Sequence, residues 1–318
     1  MKITDKLDAG NLHLKSRIVV PPMATQSSER NVPGRKTISH YEAFAENPLT
    51  GLIITEHSYV SRQGRADPFQ LSFADDSVIP AQKKLTDTVH QVSPDVKIMA
   101  QISHAGLNTT EQITGEPLVS ASSIRGSHAL TAAEIQGLED QFAEAAARVK
   151  KAGYDGVEIH SAHGYLLNQF YSPLLNLRVD EYGPQTVENR IRFLRETIQK
   201  VREAVGKDFP IAVRLGGSDY LDGGSTIADA VRAAVLLEQD GIELLDLSGG
   251  VNMYMRQGHS EPGWFSDMSL AVRKKVSLPV ILTGGVRTPE QAEQLLNENK
   301  ADLIGVGRAM FRNPSWGL

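Results

Sequence analysis

The chain contains no cysteine. That absence excludes disulfides, thiolate nucleophiles, iron–sulfur clusters and cysteine-ligated zinc. No apolar run is long enough to cross a bilayer, and the opening residues, Met1-Lys2-Ile3-Thr4-Asp5-Lys6-Leu7-Asp8, lack the apolar core of a secretory signal. A cytoplasmic protein with no membrane partner is the resulting expectation. Blocks of one charge sign are missing too: the formal net charge is -5 and acids and bases are interspersed, which leaves no electrostatic case for binding nucleic acid. A small-molecule substrate is the better expectation. Nor does a glycine-rich phosphate turn follow the first strand-like run, which passes instead into Pro21-Pro22-Met23-Ala24. That argues against an open, doubly wound sheet.

What is present is a repeated alternation. Short runs rich in β-branched residues occur at 17–20, 51–55, 97–101, 156–160, 211–214, 244–248, 280–283 and 302–305. Several are almost continuously apolar, as parallel strands covered on both faces are. Helical periodicity lies between them. It is clearest at 131–151, where Ala132, Ile135, Leu138, Phe142, Ala145, Ala146 and Val149 recur every three or four residues and Gly153 follows as a stop. A second apolar stripe predicts a helix over 187–205. Eight strand–helix units in 318 residues, 41% of them hydrophobic, predict an α/β fold: a single-domain (β/α)₈ TIM barrel spanning 1–318.

Within this pattern one stretch carries chemistry. Val157-Glu158-Ile159 runs into His160-Ser161-Ala162-His163-Gly164-Tyr165, so two imidazoles and a phenol converge just past a strand end. Barrel active sites gather at strand C-termini. Either histidine taken singly is as compatible with a structural role; the combination favours function. In a barrel the same mouth would collect Thr25 and Gln26, Glu56 and His57, Gln101 and His104, Arg214, Ser248, Thr283-Gly284-Gly285 and Gly307-Arg308. The two glycine segments each precede a helical run and follow the seventh and eighth strands. Backbone amides and helix N-termini there can hold a phosphate.

Five segments together resemble the old yellow enzyme family, in its bacterial NADH:flavin oxidoreductase branch. They are Pro22-Met23-Ala24, Gln101-Ile102-Ser103-His104-Ala105-Gly106, His160 through Leu166, Ser172 through Gly183 with Glu188-Asn189-Arg190, and Gly305-Val306-Gly307-Arg308. The resemblance implies FMN as cofactor and NADH or NADPH as reductant. It places Pro22, Met23 and Ala24 along the flavin ring, Gln101 at its pyrimidine edge, Arg214 near N1 and O2, and Gly284, Gly285, Gly307 and Arg308 on the phosphate. It makes His160 and His163 substrate-binding donors and Tyr165 the catalytic acid of a ping-pong ene-reductase, with no metal. The other reading of Arg214 is a barrel-interior arginine paired with an acid.

Two positions depart from the family pattern. Ala24 stands where many relatives place a threonine or cysteine, and His57 stands where a small residue is common. The segment 252–264 is expected to wall the substrate side. The chain stops at Pro314-Ser315-Trp316-Gly317-Leu318, so a short or missing closing helix is expected. In relatives of this branch an arm from that end reaches into a neighbouring subunit, which is compatible with a homo-oligomer. The competing functions are a flavin-binding barrel limited to electron transfer, and a phosphate-binding isomerase or aldolase. The second is disfavoured because no strand ends in a Schiff-base lysine.

Overall fold

Eight parallel strands close on one another in the computed structural model, which describes residues 1–318. They are Ile18–Val20, Thr50–Tyr59, Lys97–Ser103, Gly156–Ser161, Ile211–Ser218, Leu244–Gly249, Val280–Thr283 and Leu303–Gly305. Each pairs with the next, and the ring closes where Ile18 lies opposite both Ile304 and Thr50. The predicted barrel is therefore the fold, and each predicted strand falls on an observed one.

The near-continuous apolar runs follow from burial on both faces. Alternate residues point outward under the helices, among them Ile98, Val157, Val213, Leu245 and Ile304 in a cluster of 66 buried residues. The intervening ones point inward. Val19, Leu52, Ile54, Met99, Ala212, Leu244, Ile281 and Leu303 fill the lower barrel in a separate cluster of 11. That cluster is closed from below by Ala9, Leu12 and Leu14 of an N-terminal hairpin, Leu7–Ala9 paired with Leu12–Leu14. Gly10, at φ +57°, makes the tight turn of that hairpin.

Counting upward by two from this apolar layer reaches polar residues: Gln101 above Met99, Arg214 above Ala212, Asp246 and Ser248 above Leu244, Thr283 above Ile281, with Glu158 and His160 beside them. The pleat thus places a polar layer directly on an apolar plug.

The helices lie outside. Ala132–Lys151 starts with a capping box between Thr131 and Glu134, and Gly153, at φ +82°, follows its end. The stripe at 187–205 is broken in two, Val187–Arg190 and Arg192–Val205, at Ile191. Arg190 explains the break: it is buried and reaches Asp229 at 2.6 Å, so the first turn faces a different neighbour from the longer helix. After the eighth strand comes the five-residue helix Arg308–Arg312, and then Trp316, whose Nε1 donates to Arg287 O at 2.6 Å. No helix is long and apolar enough to cross a membrane.

Candidate active site

A cavity of about 930 Å³ opens at the C-terminal ends of the strands. The twelve residues to which the family resemblance gave a role all line it: Pro22, Met23, Ala24, Gln101, His160, His163, Tyr165, Arg214, Gly284, Gly285, Gly307 and Arg308. His57, Ser248, Met253, Tyr254, Trp264, Arg287 and Arg312 join them.

Its deep wall is the polar layer. Gln101 Nε2 donates to Glu158 Oε1 at 2.8 Å, across the pair in register between the third and fourth strands. Arg214 and Asp246 are likewise opposite in register, with Nε 3.3 Å from Oδ2. The interior arginine paired with an acid is therefore present, and the same arginine also faces the cavity. Arg214 Nε, both Asp246 carboxylate oxygens and Glu158 Oε2 nevertheless remain buried without a hydrogen-bond partner. Burial pushes both carboxyls upward; the two also repel each other, while Arg214 opposes the shift. A buried cluster with this many open valences is suited to a polar ring system above it.

The upper wall holds the imidazoles. The strand ends at Ser161, and the chain turns through His163 and Gly164 at φ +58° and +68°. The left-handed conformation is costly for His163 and free for Gly164, and side chains from three other positions hold the turn. Asn108 donates to Gly164 O at 2.9 Å, Gln169 donates to the same oxygen at 2.7 Å, and Gly164 N–H donates to Asn168 Oδ1 at 2.8 Å. This turn brings His163 Nδ1 within 3.2 Å of His160 Nε2, and its Nε2 within 2.7 Å of Ser248 Oγ. Burial drives both imidazoles well below their ordinary value, helped for each by the positive field of Arg214. Burial thus favours the neutral rings, which can offer N–H groups without carrying charge. The Tyr165 ring lies 4.8 Å from that of His160.

The other end is built from amides. Gly284 and Gly285 have φ of +147° and +75°, and a Cβ on Gly285 would sit 2.8 Å from Trp264 Nε1. Trp264 Nε1 and Thr283 Oγ1 are buried without partners, and the Arg308 guanidinium stacks 5.0 Å from the Trp264 ring centre. Loops of this kind, with a cation beside them, suit a phosphate.

The NADH:flavin oxidoreductase / NADH oxidase family matches residues 4–317. The chain belongs to this family, that of the old yellow enzymes. It is 38% identical over 320 residues to an NADH oxidase of Thermoanaerobacter brockii, covering 96% of this chain and 48% of that protein. It is 36% identical over 317 residues to an NADPH dehydrogenase of Halalkalibacterium halodurans, covering 95% of this chain and 89% of that one. The chain thus spans about half the length of the first relative and most of the second. Among solved structures, an old yellow enzyme homologue from Zymomonas mobilis matches with a TM-score of 0.83 at 29% identity, covering 99% of this chain and 90% of that one. Morphinone reductase matches at 0.85 and 25%, covering 99% and 88%.

Membership makes the chain an oxidoreductase with FMN as cofactor and NADH or NADPH as reductant. The old yellow enzyme cavity described above fits that group. Its open donors and acceptors lie at the deep end and its phosphate-type loops lie at the other.

Not every polar strand end belongs to this site. Thr25 and Glu56 bond each other, Thr25 N–H and Oγ1 donating to the carboxylate at 3.0 and 2.7 Å. His104 is sealed behind Gly64 and Gly106, its Nδ1 accepting Gly106 N–H at 3.1 Å. The mouth predicted from strand ends was therefore too inclusive: His104, three residues past Gln101, is out of inward parity, and Glu56, though in parity with Leu52 and Ile54, lies at a slip in the second strand's register. Glu158 and Asp246, by contrast, were missed as members of the site, although each lies two residues before one already chosen.

Burial lowers His57 to about 4 and His104 to about 3. The unfolded chain therefore binds protons below pH 6.5 that these native imidazoles refuse, so their contribution to stability falls as pH drops from 6.5 toward 4. Each such ring contributes up to about 1.4 kcal/mol per pH unit in that window. Thermal melts at pH 5 and pH 7 should show this loss, and His104→Gln should reduce it. An unchanged loss would assign it to other groups.

Proposed function

We propose that this chain by itself reduces activated alkenes, such as α,β-unsaturated carbonyl compounds, at the expense of NADH or NADPH, in a ping-pong cycle. The carrying observation is the placement of two buried imidazoles and a phenol on one wall of a cavity whose floor and far end suit a flavin phosphate. Bound FMN would supply hydride chemistry at its N5.

In this reading Gln101 and Arg214 hold the ring, and Gly284, Gly285, Gly307 and Arg308 hold the phosphate. Pro22, Met23 and Ala24 line the flavin. Arg214 opposes negative charge that accumulates on the reduced ring. His160 and His163 donate to the substrate oxygen, which makes the β-carbon electrophilic. That carbon receives the hydride, and the α-carbon receives the proton of the Tyr165 hydroxyl, which solvent then replaces. Ser248, bonded to His163 Nε2, keeps that ring oriented toward the pocket. Met253 and Tyr254 wall the substrate side, with the Tyr254 ring edge-on to His163 at 6.1 Å. A homo-oligomer remains compatible with this reading, and nothing in it requires one.

The test is spectroscopic. Titrating the flavin-loaded protein with p-hydroxybenzaldehyde should produce a long-wavelength charge-transfer band, because the paired N–H donors favour the phenolate. Replacing both His160 and His163 by alanine should remove the band and weaken binding at least about 100-fold, the scale of two hydrogen bonds to an anion. Unchanged affinity and spectrum in that variant would refute the role of the pair.

A further inference from the structure

His57 is absorbed by none of the roles above, yet it lines the same cavity. Its direction comes from an irregularity in the second strand, whose register against the third slips between Thr55 and Ser58. Such slips re-aim side chains next to active sites. Glu56 turns back to Thr25 and Tyr41, while His57 turns toward Tyr165 and His160, with ring centres 5.5 and 6.5 Å away.

The protonation of this ring is determined by its neighbours. Ala66 N–H donates to Gln70 Oε1 at 2.6 Å, which fixes the orientation of that amide. Gln70 Nε2 therefore faces His57 Nδ1, at 2.7 Å, and also reaches Ser103 Oγ at 3.2 Å. An amide N–H can only donate, so Nδ1 accepts and the neutral ring carries its proton on Nε2. Nε2 has no partner in the protein.

We infer that His57 is a third hydrogen-bond donor to the ligand, and that it makes the pocket selective for substrates whose activating group offers two acceptor oxygens, a nitro group above all. The inference rests on the reading of the site given above. His160 and His163 satisfy one oxygen; the Nε2–H of His57, whose ring centre lies 6.5 Å from that of His160, satisfies the second. A ketone, with a single oxygen, leaves one of these donors unused.

The experiment compares two ligands with the same ring, nitrocyclohexene and cyclohexenone. Each is titrated into oxidised, FMN-loaded protein, where perturbation of the flavin absorbance reports binding without turnover. His57→Phe keeps the ring bulk and removes the N–H. It should weaken nitrocyclohexene about tenfold, the scale of one hydrogen bond, and cyclohexenone less than about twofold. His57→Gln, which restores a donor, should recover most of the loss. Equal weakening of both ligands, or of neither, overturns the inference. So does a fall in FMN affinity, measured by flavin fluorescence, with the ratio of the two ligand affinities unchanged, because His57 would then act on the cofactor. If neither ligand perturbs the wild-type flavin, the reading of the site itself fails, an outcome distinct from a variant that merely keeps the wild-type ratio.

Discussion

Replacing Tyr165 by phenylalanine should slow alkene reduction about 100-fold or more while leaving reduction of the protein by NAD(P)H within about twofold. The first figure is the usual contribution of a positioned general acid. The physical case begins with burial. It drives the Tyr165 phenol above its ordinary range, with the negative charge of Asp67 adding to the effect. The hydroxyl therefore keeps its proton throughout the working pH range. Its ring is fixed by the position of Tyr165 at the start of the helix Leu166–Tyr171, where its own N–H donates to Ala162 O at 3.1 Å. Single-turnover mixing separates the two half-reactions. The cofactor and the imidazole pair are untouched in the variant, so only the step that consumes the proton should suffer. An alkene half-reaction at the wild-type rate would mean that water or another group protonates the α-carbon.

Arg214 carries the second large effect, and its pairing with Asp246 can be separated from its proposed role toward the cofactor. It is the only cation beside Asp246 in a layer where both groups are almost fully buried. Removing one partner of such a pair typically costs about 3–5 kcal/mol, because the other charge is left uncompensated. Arg214→Met should therefore lower the melting temperature by many degrees at pH 7. The sign with pH follows from Asp246, whose carboxyl burial already raises. Without the guanidinium its pKa rises further, and a raised carboxyl stabilises below the unfolded value and loses that contribution as pH climbs. The variant should thus be relatively more stable in acid. Adding Asp246→Asn should recover much of the stability at pH 7. FMN affinity, expected to fall at least about 100-fold in Arg214→Met, should stay low in the double variant. Recovery of both together would reduce Arg214 to a counter-charge for Asp246 and remove it from the cofactor site.

Much of the barrel was legible because its physical cause is local. A strand covered on both faces needs a continuous apolar run, and a helix on the outer ring needs a stripe; both leave a mark that a single segment carries. The stop at Gly153 is equally local. What escaped was non-local. The break at Ile191 depends on Arg190 reaching Asp229, 39 residues away. The hairpin at Leu7–Ala9 and Leu12–Leu14 is three residues per strand, too short for periodicity to register, and it exists because the barrel floor needs a lid. Glu158 and Asp246 were within reach of a simple count by two along their strands, since inward parity places both beneath residues already assigned to the site.

By itself the sequence determined the fold class, the order of the eight strands and the presence of His160, His163 and Tyr165 at one strand end, because each follows from spacing along the chain. Their relation to one another was decided only in three dimensions. Cross-strand register put Gln101 on Glu158 and Arg214 on Asp246, and ring closure joined the phosphate-type loops of the seventh and eighth strands to the first. The slip in the second strand sent His57 into the cavity and Glu56 away from it. Spacing sets which residues share a face, but the protonation and the open valences of a buried group depend on neighbours that the chain supplies from far away.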